Sequence, residues 1–128
     1  MVPEAATIMM KAGAFIVSSS FSEYQGLQFQ KTLMRLQVAL EDSFTDIGKM
    51  ACANGKACVV LCDRGLMDGS AYVSKDSWQG LLHDLNVNTV QIRDNRYDIV
   101  IHLATAADGA PDFYQTEIEG EPRYETQE

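Results

Sequence analysis

The chain has 128 residues, a formal net charge of −8 at neutral pH and 46% hydrophobic residues. This length and composition are typical of one globular domain, which excludes a disordered, collagen-like or disulfide-rich protein. The sequence has no apolar run long enough for a membrane span and no N-terminal signal pattern, so we expect neither.

The negative charge is concentrated near the C-terminus. Residues 1–106 hold nine basic and eleven acidic groups, net −2, whereas residues 107–128 hold one basic and seven acidic groups, net −6. Lysines and arginines form no cluster, so we expect no nucleic-acid partner and no broad attraction to anionic lipid for this segment. The three cysteines are an odd number, which indicates a reducing, cytoplasmic compartment.

Three segments have helical patterns. Residues 5–13 predict a short helix, and residues 76–85 predict another with Trp78 in the core. Between them a long helix is predicted to end at Asn54-Gly55 and to begin with a capping box, either Ser20 with Glu23 or Ser22 with Gln25. Its apolar stripe has steps of three and four residues: Phe29, Leu33, Leu36, Leu40, Phe44 and Ile47.

Two unbroken apolar runs, 57–62 and 97–103, predict strands that are buried on both faces. Strands that alternate with helices predict an α/β fold with a parallel sheet. Cys58 and Cys62 would then lie roughly 13 Å apart in one strand and act as small buried residues. His102 would be a hydrogen-bonded core histidine, and His83 a solvated one. The punctuated, acidic segment after Ala107 predicts a loop.

The first apolar run ends in Asp63, which is the form of a Walker B strand. A carboxylate at the carboxyl edge of such a sheet can hold Mg²⁺, and Arg64 beside it can bind a phosphate. The alternative is a structural aspartate in a helix cap or turn, which is common in α/β proteins. The glycine-rich loop G-x-x-x-x-G-K-[ST] is absent, because both Gly-Lys pairs lack the flanking residues it needs. The chain therefore has no phosphate-binding loop of its own.

Four motifs in this order resemble the P-loop domain of the TRPL translocation-defect protein family, which is related to the kinase domain of bacterial NadR proteins. They are VPEAAT at 2–7, QVALEDSF at 37–44, LCDRG through DGSAYV at 61–73, and YDIVIHLATAADGA at 97–110. The resemblance implies a three-layer, nucleotide-kinase-like P-loop NTPase fold with a parallel sheet, incomplete here. Residues 1–107 would be the partial NTPase domain and residues 108–128 an acidic lid or linker.

The resemblance also implies a function. Family members are associated with GTP, with phosphoinositides and with membrane-protein trafficking, so the implied ligand is GTP or ATP with Mg²⁺. Phosphoinositides would bind through a C-terminal CYTH-type domain that this sequence lacks, as it lacks the P-loop. A cytoplasmic protein that associates with membranes in its full-length form is therefore expected, and nucleotide binding is expected to be weakened or lost in this chain.

The resemblance assigns roles to four residues. Asp63 matches the Walker B acid on Mg²⁺, Arg64 faces a phosphate or acceptor, Glu4 serves as a catalytic base, and Arg123 closes over the phosphates. Glu4 could equally charge the first turn of a helix. Two function classes remain open: a nucleotide-binding domain, with a small-molecule phosphotransferase as its variant, and a non-catalytic interaction module. Gln30 and Gln37 could contact a base, but glutamines on a helix more often face solvent.

Overall fold

The computed structural model describes residues 1–14 and 22–103, together with the backbone of residues 117–118 and 121–122. The chain divides into two compact units, Met1–Arg96 and Tyr97–Glu128. The three α-helices of the described residues lie in the first unit: α1 is Ala5–Lys11, α2 is Glu23–Ala53 and α3 is Lys75–Asp84. The second unit contains two short antiparallel strands, β1 (Glu117–Ile118) and β2 (Glu121–Pro122).

The ends of α2 follow the capping residues that the sequence predicts. The Ser22 hydroxyl accepts a hydrogen bond from the amide of Gln25, and the Gln25 side chain accepts one from the amide of Ser22. This reciprocal pair satisfies amide donors that have no partner within the helix. At the other end Asn54 is the C-cap, and Gly55 has a φ of +77°, a conformation that glycine adopts without strain. Of the two predicted capping boxes, Ser22 with Gln25 is therefore confirmed.

The buried face of α2 differs from the predicted apolar stripe. The stripe residues are only half-buried, and Ile47 is exposed. The buried residues of α2 are shifted by about one residue from this stripe and are Gln30, Met34, Gln37, Glu41 and Gly48. Three of these five side chains are polar, so the helix presents a polar line to the interior of the first unit.

The apolar core of the first unit lies between α2 and α3. Met34 packs with Trp78, Leu81 and Leu82 of α3, and with Leu66 and Ile92 from the connecting segments. Those segments include a 3₁₀ helix, Asp68–Tyr72, and a π-helical turn, Val90–Asp94. Lys31 of α2 and Asp84 of α3 form an ion pair of 2.7 Å, and the hydrogen bond from Lys31 lowers the pKa of Asp84. The predicted core role of Trp78 is confirmed.

The predicted parallel sheet is wrong for the residues that the structure describes. Their only parallel pairing is an isolated bridge between Val2 and Cys62, and their only strands are β1 and β2. An apolar run becomes a strand only where a neighbouring strand satisfies its backbone donors and acceptors. In the described part of the chain, Val2 supplies that partner to one end of the run 57–62, and the rest of the run has none.

The two apolar runs are therefore exposed rather than buried. Val59 and Leu61 are 79% and 61% exposed, and Ile99 in the second run is 82% exposed. Cys58 and His102 are exposed as well, so the predicted buried roles of both residues are wrong. His83 is exposed on α3, as the sequence predicts. No helix in the described ranges is both long and apolar enough to cross a membrane.

Two glycines of α2 provide a matched test of how residues 58–60 pack on this helix. A Cβ at Gly26 would meet no atom within 4 Å, whereas one at Gly48 would lie 3.2 Å from Cys58 Sγ and 3.4 Å from Val60 Cγ2. We expect Gly26→Ala to raise the free energy of unfolding by about 1 kcal/mol, because alanine favours the helix. Gly48→Ala should gain clearly less, as measured by urea denaturation. An equal gain in both variants would mean that residues 58–60 do not pack on α2.

Candidate functional site

The bridge at Val2 brings two distant segments together. The amide of Val2 donates to the carbonyl of Leu61 at 2.6 Å, and the amide of Asp63 donates to the carbonyl of Val2 at 3.0 Å. Val2 is completely buried, which shields this pairing from water. The pairing places Glu4, just before α1, beside the turn that carries Asp63 and Arg64.

The Glu4 carboxylate contacts both this turn and a side chain of α1. Glu4 occupies the N-cap position of α1, but its side chain makes no capping hydrogen bond to the helix backbone. One carboxylate oxygen accepts a hydrogen bond from the Thr7 hydroxyl, and the other lies 3.5 Å from Nε of Arg64. Glu4 and Arg64, which the resemblance assigns to one site, are therefore ion-paired.

Arg64 is held between two carboxylates in a strained backbone conformation. Its Nη1 donates to Asp68 at 3.3 Å, opposite the contact with Glu4. Partial burial acts to lower the pKa of the Arg64 guanidinium, but Asp68 and then Glu4 outweigh it and raise the pKa above its ordinary value. The φ of Arg64 is +69°, a region that costs a non-glycine residue roughly 1–2 kcal/mol. Strain of this kind is concentrated at functional sites.

The buried polar residues of α2 form hydrogen bonds that hold the strained turn on its interior side. Nε2 of Gln37 donates both to the carbonyl of Arg64 at 3.3 Å and to Glu41 at 2.9 Å. Glu41 in turn forms an ion pair with Nε of Arg96, whose Nη2 donates to Asp42 at 2.9 Å. Burial acts to lower the pKa of Arg96, but the hydrogen bond and charge of Glu41 raise it, so the guanidinium stays charged.

These hydrogen bonds between α2 and the turn were not predicted from the sequence. Gln37 and Glu41 are both buried, so the expectation that Gln37 faces solvent is wrong. The available signal was their spacing of four residues, in register with Met34 on one helix face. Gln30 is buried one turn earlier, and its Oε1 is a buried side-chain oxygen with no hydrogen-bond partner among the described residues. That oxygen would lie 3.2 Å from a Cβ at Gly69.

Asp63 differs from its neighbours because its carboxylate is exposed and pairs with no side chain in the described ranges. Together with Glu4 and Asp68, it gives the turn more negative than positive charge around Arg64. A single available carboxylate fits Mg²⁺, which keeps most of its water ligands and binds proteins through one or two carboxylates plus substrate phosphates. Within the described residues no group of three or more metal-binding side chains is present, so a metal site formed by protein ligands alone does not fit.

Two more residues need to be placed relative to this turn, Cys62 and Arg123. Cys62 is half-buried beside Val2, and burial, followed by the charge of Glu41, raises the pKa of its thiol. Arg123, the predicted lid arginine, lies outside the described residues. The site that the structure describes therefore consists of Glu4, Asp63, Arg64 and the α2 residues behind them.

The contribution of the Glu41–Arg96 ion pair to stability can be tested by substituting two arginines. Arg96→Met removes the ion-pair partner of Glu41, whose side chain is only 5% exposed, so this buried negative charge loses the guanidinium that neutralises it. We expect a loss of about 3 kcal/mol in the free energy of unfolding. Arg93→Met is the control, because the partner of Arg93 among the described residues is the exposed Asp94, and loss of this pair should change stability by less than about 1 kcal/mol. Equal losses in urea denaturation would show that the Glu41–Arg96 pair has no special role.

Comparison with known proteins identifies a family. The family model described as an AAA domain matches residues 1–128. No curated protein and no solved structure matches the chain. AAA domains are P-loop NTPase-like, nucleotide-binding domains, a class that agrees with the resemblance drawn from the sequence motifs. Because the match spans the whole sequence, this chain belongs to the AAA domain family.

Proposed function

We propose that this chain binds a nucleoside triphosphate, GTP or ATP, together with Mg²⁺ at the turn formed by Asp63 and Arg64. The observation that carries the proposal is the Val2–Cys62 bridge, which brings Glu4 within ion-pairing distance of Arg64 and leaves the Asp63 carboxylate exposed. A strained turn with an available carboxylate beside a charged guanidinium is suited to a metal–phosphate ligand.

Each residue has a distinct part in this proposal. Asp63 would hold Mg²⁺, which supplies positive charge to the phosphate oxygens. Arg64 would bind a phosphate oxygen, and a shift of its guanidinium toward that oxygen would release Glu4. Glu4, once released, is a carboxylate that can accept a proton from an acceptor hydroxyl. Gln37 keeps the backbone of the turn in place while these side chains exchange partners.

The narrower assignment to the TRPL translocation-defect family rests on the four sequence motifs and is part of the proposal. Three of those motifs meet around the turn, since Glu4, Gln37 and Asp63 belong to the first, second and third. A trafficking role, phosphoinositide association and membrane association of the full-length protein stay predictions from the resemblance alone.

Asp63→Asn tests the metal-binding role. Asparagine keeps the shape of the side chain but removes its charge, so we expect the affinity for Mg²⁺–GTP or Mg²⁺–ATP to fall by about tenfold or more. Equilibrium dialysis of the purified chain with labelled nucleotide, with and without Mg²⁺, measures the change. The wild-type affinity is expected to be weak and to depend on Mg²⁺.

Asp46→Asn is the matched control for this experiment. Asp46 is also an exposed aspartate, but it pairs with Lys49 on α2 and belongs to no part of the proposed site. Its substitution should leave nucleotide affinity unchanged. The proposal fails if neither nucleotide binds to the wild-type chain, or if the two asparagine variants bind equally well.

Two substitutions of Arg64 separate its effect on nucleotide affinity from its effect on the free energy of unfolding. Arg64→Gly removes the guanidinium but relieves the strain at φ +69°, whereas Arg64→Ala removes the guanidinium and keeps the strain. Both variants should lose nucleotide affinity to the same extent. In urea denaturation, Arg64→Gly should stay within about 1 kcal/mol of wild type, and Arg64→Ala should be less stable than Arg64→Gly. Retained affinity in both variants would exclude Arg64 from the site.

The second function class, a non-catalytic interaction module, is favoured by the exposed apolar side chains of the runs 57–62 and 97–103. Exposed apolar patches are typical of protein-binding surfaces. This alternative predicts that the folded chain binds neither nucleotide at any Mg²⁺ concentration. The dialysis experiment therefore distinguishes the two classes.

A further inference from the structure

Two of the three cysteines lie on the same groove at the end of α2. Cys52 is in the last turn of the helix, and Cys58 follows the turn that contains Asn54-Gly55. Both side chains are exposed free thiols. They line one groove of about 280 Å³ together with Thr45, Gly48, Lys49 and Val60.

Gly48 brings Cys58 against the helix face that carries Cys52. Cys58 Sγ lies 3.2 Å from the position that a Cβ would occupy at Gly48. Residues 48 and 52 are four apart in a helix, so they share one face, and Cβ positions at this spacing lie about 5–6 Å apart. A disulfide requires the two Cβ atoms to be about 4 Å apart. The five residues between the two cysteines are all exposed, and the disulfide requires the segment that carries Cys58 to move toward Cys52 along the groove.

We propose that Cys52 and Cys58 form an intramolecular disulfide when a hydroperoxide oxidises the chain. One thiolate attacks the O–O bond of the peroxide, so that an S–O bond forms and hydroxide leaves. The second thiolate then attacks that sulfur, so that the S–S bond forms and the S–O bond breaks. In sum, two thiols and one hydrogen peroxide give one disulfide and two waters. The two sulfurs are oxidised and the peroxide oxygens are reduced.

Cys62 is excluded from this pair by its position. It is half-buried, and its backbone is fixed in the bridge to Val2. Three residues separate it from Cys58 along a segment that leads away from the end of α2. Cys62 therefore serves as an internal reference thiol that should stay reduced while the other two cysteines react.

The disulfide would connect the C-terminal end of α2 to the segment that leads to Asp63. It requires no nucleotide, so this inference stands independently of the proposed function. A bridge that forms only under oxidation is also compatible with a reducing compartment, where disulfides are transient and redox-sensitive.

The test uses the purified, reduced full chain treated with a small excess of hydrogen peroxide and then quenched with catalase. We expect the number of titratable thiols to fall from three to one, with the chain still monomeric on a non-reducing gel. Peptide mass mapping after thiol alkylation should find a Cys52–Cys58 cross-link that dithiothreitol reverses. Cys62→Ser should form the same cross-link, whereas Cys58→Ser should form no internal cross-link.

Three results would overturn the proposal. They are a cross-link that includes Cys62, disulfide-linked dimers in place of the internal bridge, and separate sulfinic acids on Cys52 and Cys58 without any cross-link. Gly48→Ala gives a second readout, because its added Cβ would lie 3.2 Å from Cys58 Sγ and, by crowding that thiol, should slow formation of the bridge. Gly26→Ala, at a position where nothing lies within 4 Å, should react at the wild-type rate. Equal rates in these two variants would also count against the proposal.

Discussion

Two backbone hydrogen bonds between Val2 and the segment around Cys62 determine where the candidate site lies. They join the N-terminal residues to the turn at Asp63 and Arg64, and they are protected by the complete burial of the Val2 side chain. The ion pair of Glu4 with Arg64 depends on this join, because α1 begins only three residues after Val2 and the pairing sets the position of its first turn. The support from α2 then acts on a turn whose position is already fixed.

The interior behind this turn is polar, and that property has an energetic cost. Gln37 and Glu41 are buried, and each must keep its hydrogen-bond partners because an unsatisfied buried polar group is expensive. The partners form a chain from the carbonyl of Arg64 through Gln37 and Glu41 to Arg96. An apolar helix face would pack equally well, but it would donate no hydrogen bond to the carbonyl of Arg64. The buried polar residues of α2 thus lower the stability of the fold, and they fix the backbone position of the turn at the site.

Local structure could be predicted from the sequence more fully than the pairing of distant segments. The end of α2 at Asn54-Gly55, the capping box of Ser22 and the core role of Trp78 depend on neighbouring residues or on helical spacing, and all three agree with the structure. The parallel sheet was predicted from apolar runs, but a strand depends on a partner that the run itself does not specify. For the same reason Cys58 and His102 were expected in the core and are exposed. The site residues Asp63 and Arg64 were found from their position after an apolar run, whereas Arg96 has no sequence pattern that links it to Glu41.

The long span of chain between Val2 and Cys62 has a consequence for the order of folding. The helix α2 needs only local contacts and is capped at both ends, so it can form early. The Val2–Cys62 pairing instead closes a loop of about sixty residues, and the entropy of that closure must be compensated by contacts that already exist. The turn at Asp63 and Arg64 is therefore assembled late, on a helix that is already in place. Its amide protons should exchange with solvent sooner than those in the middle of α2, since exposed segments with few buried apolar contacts open first.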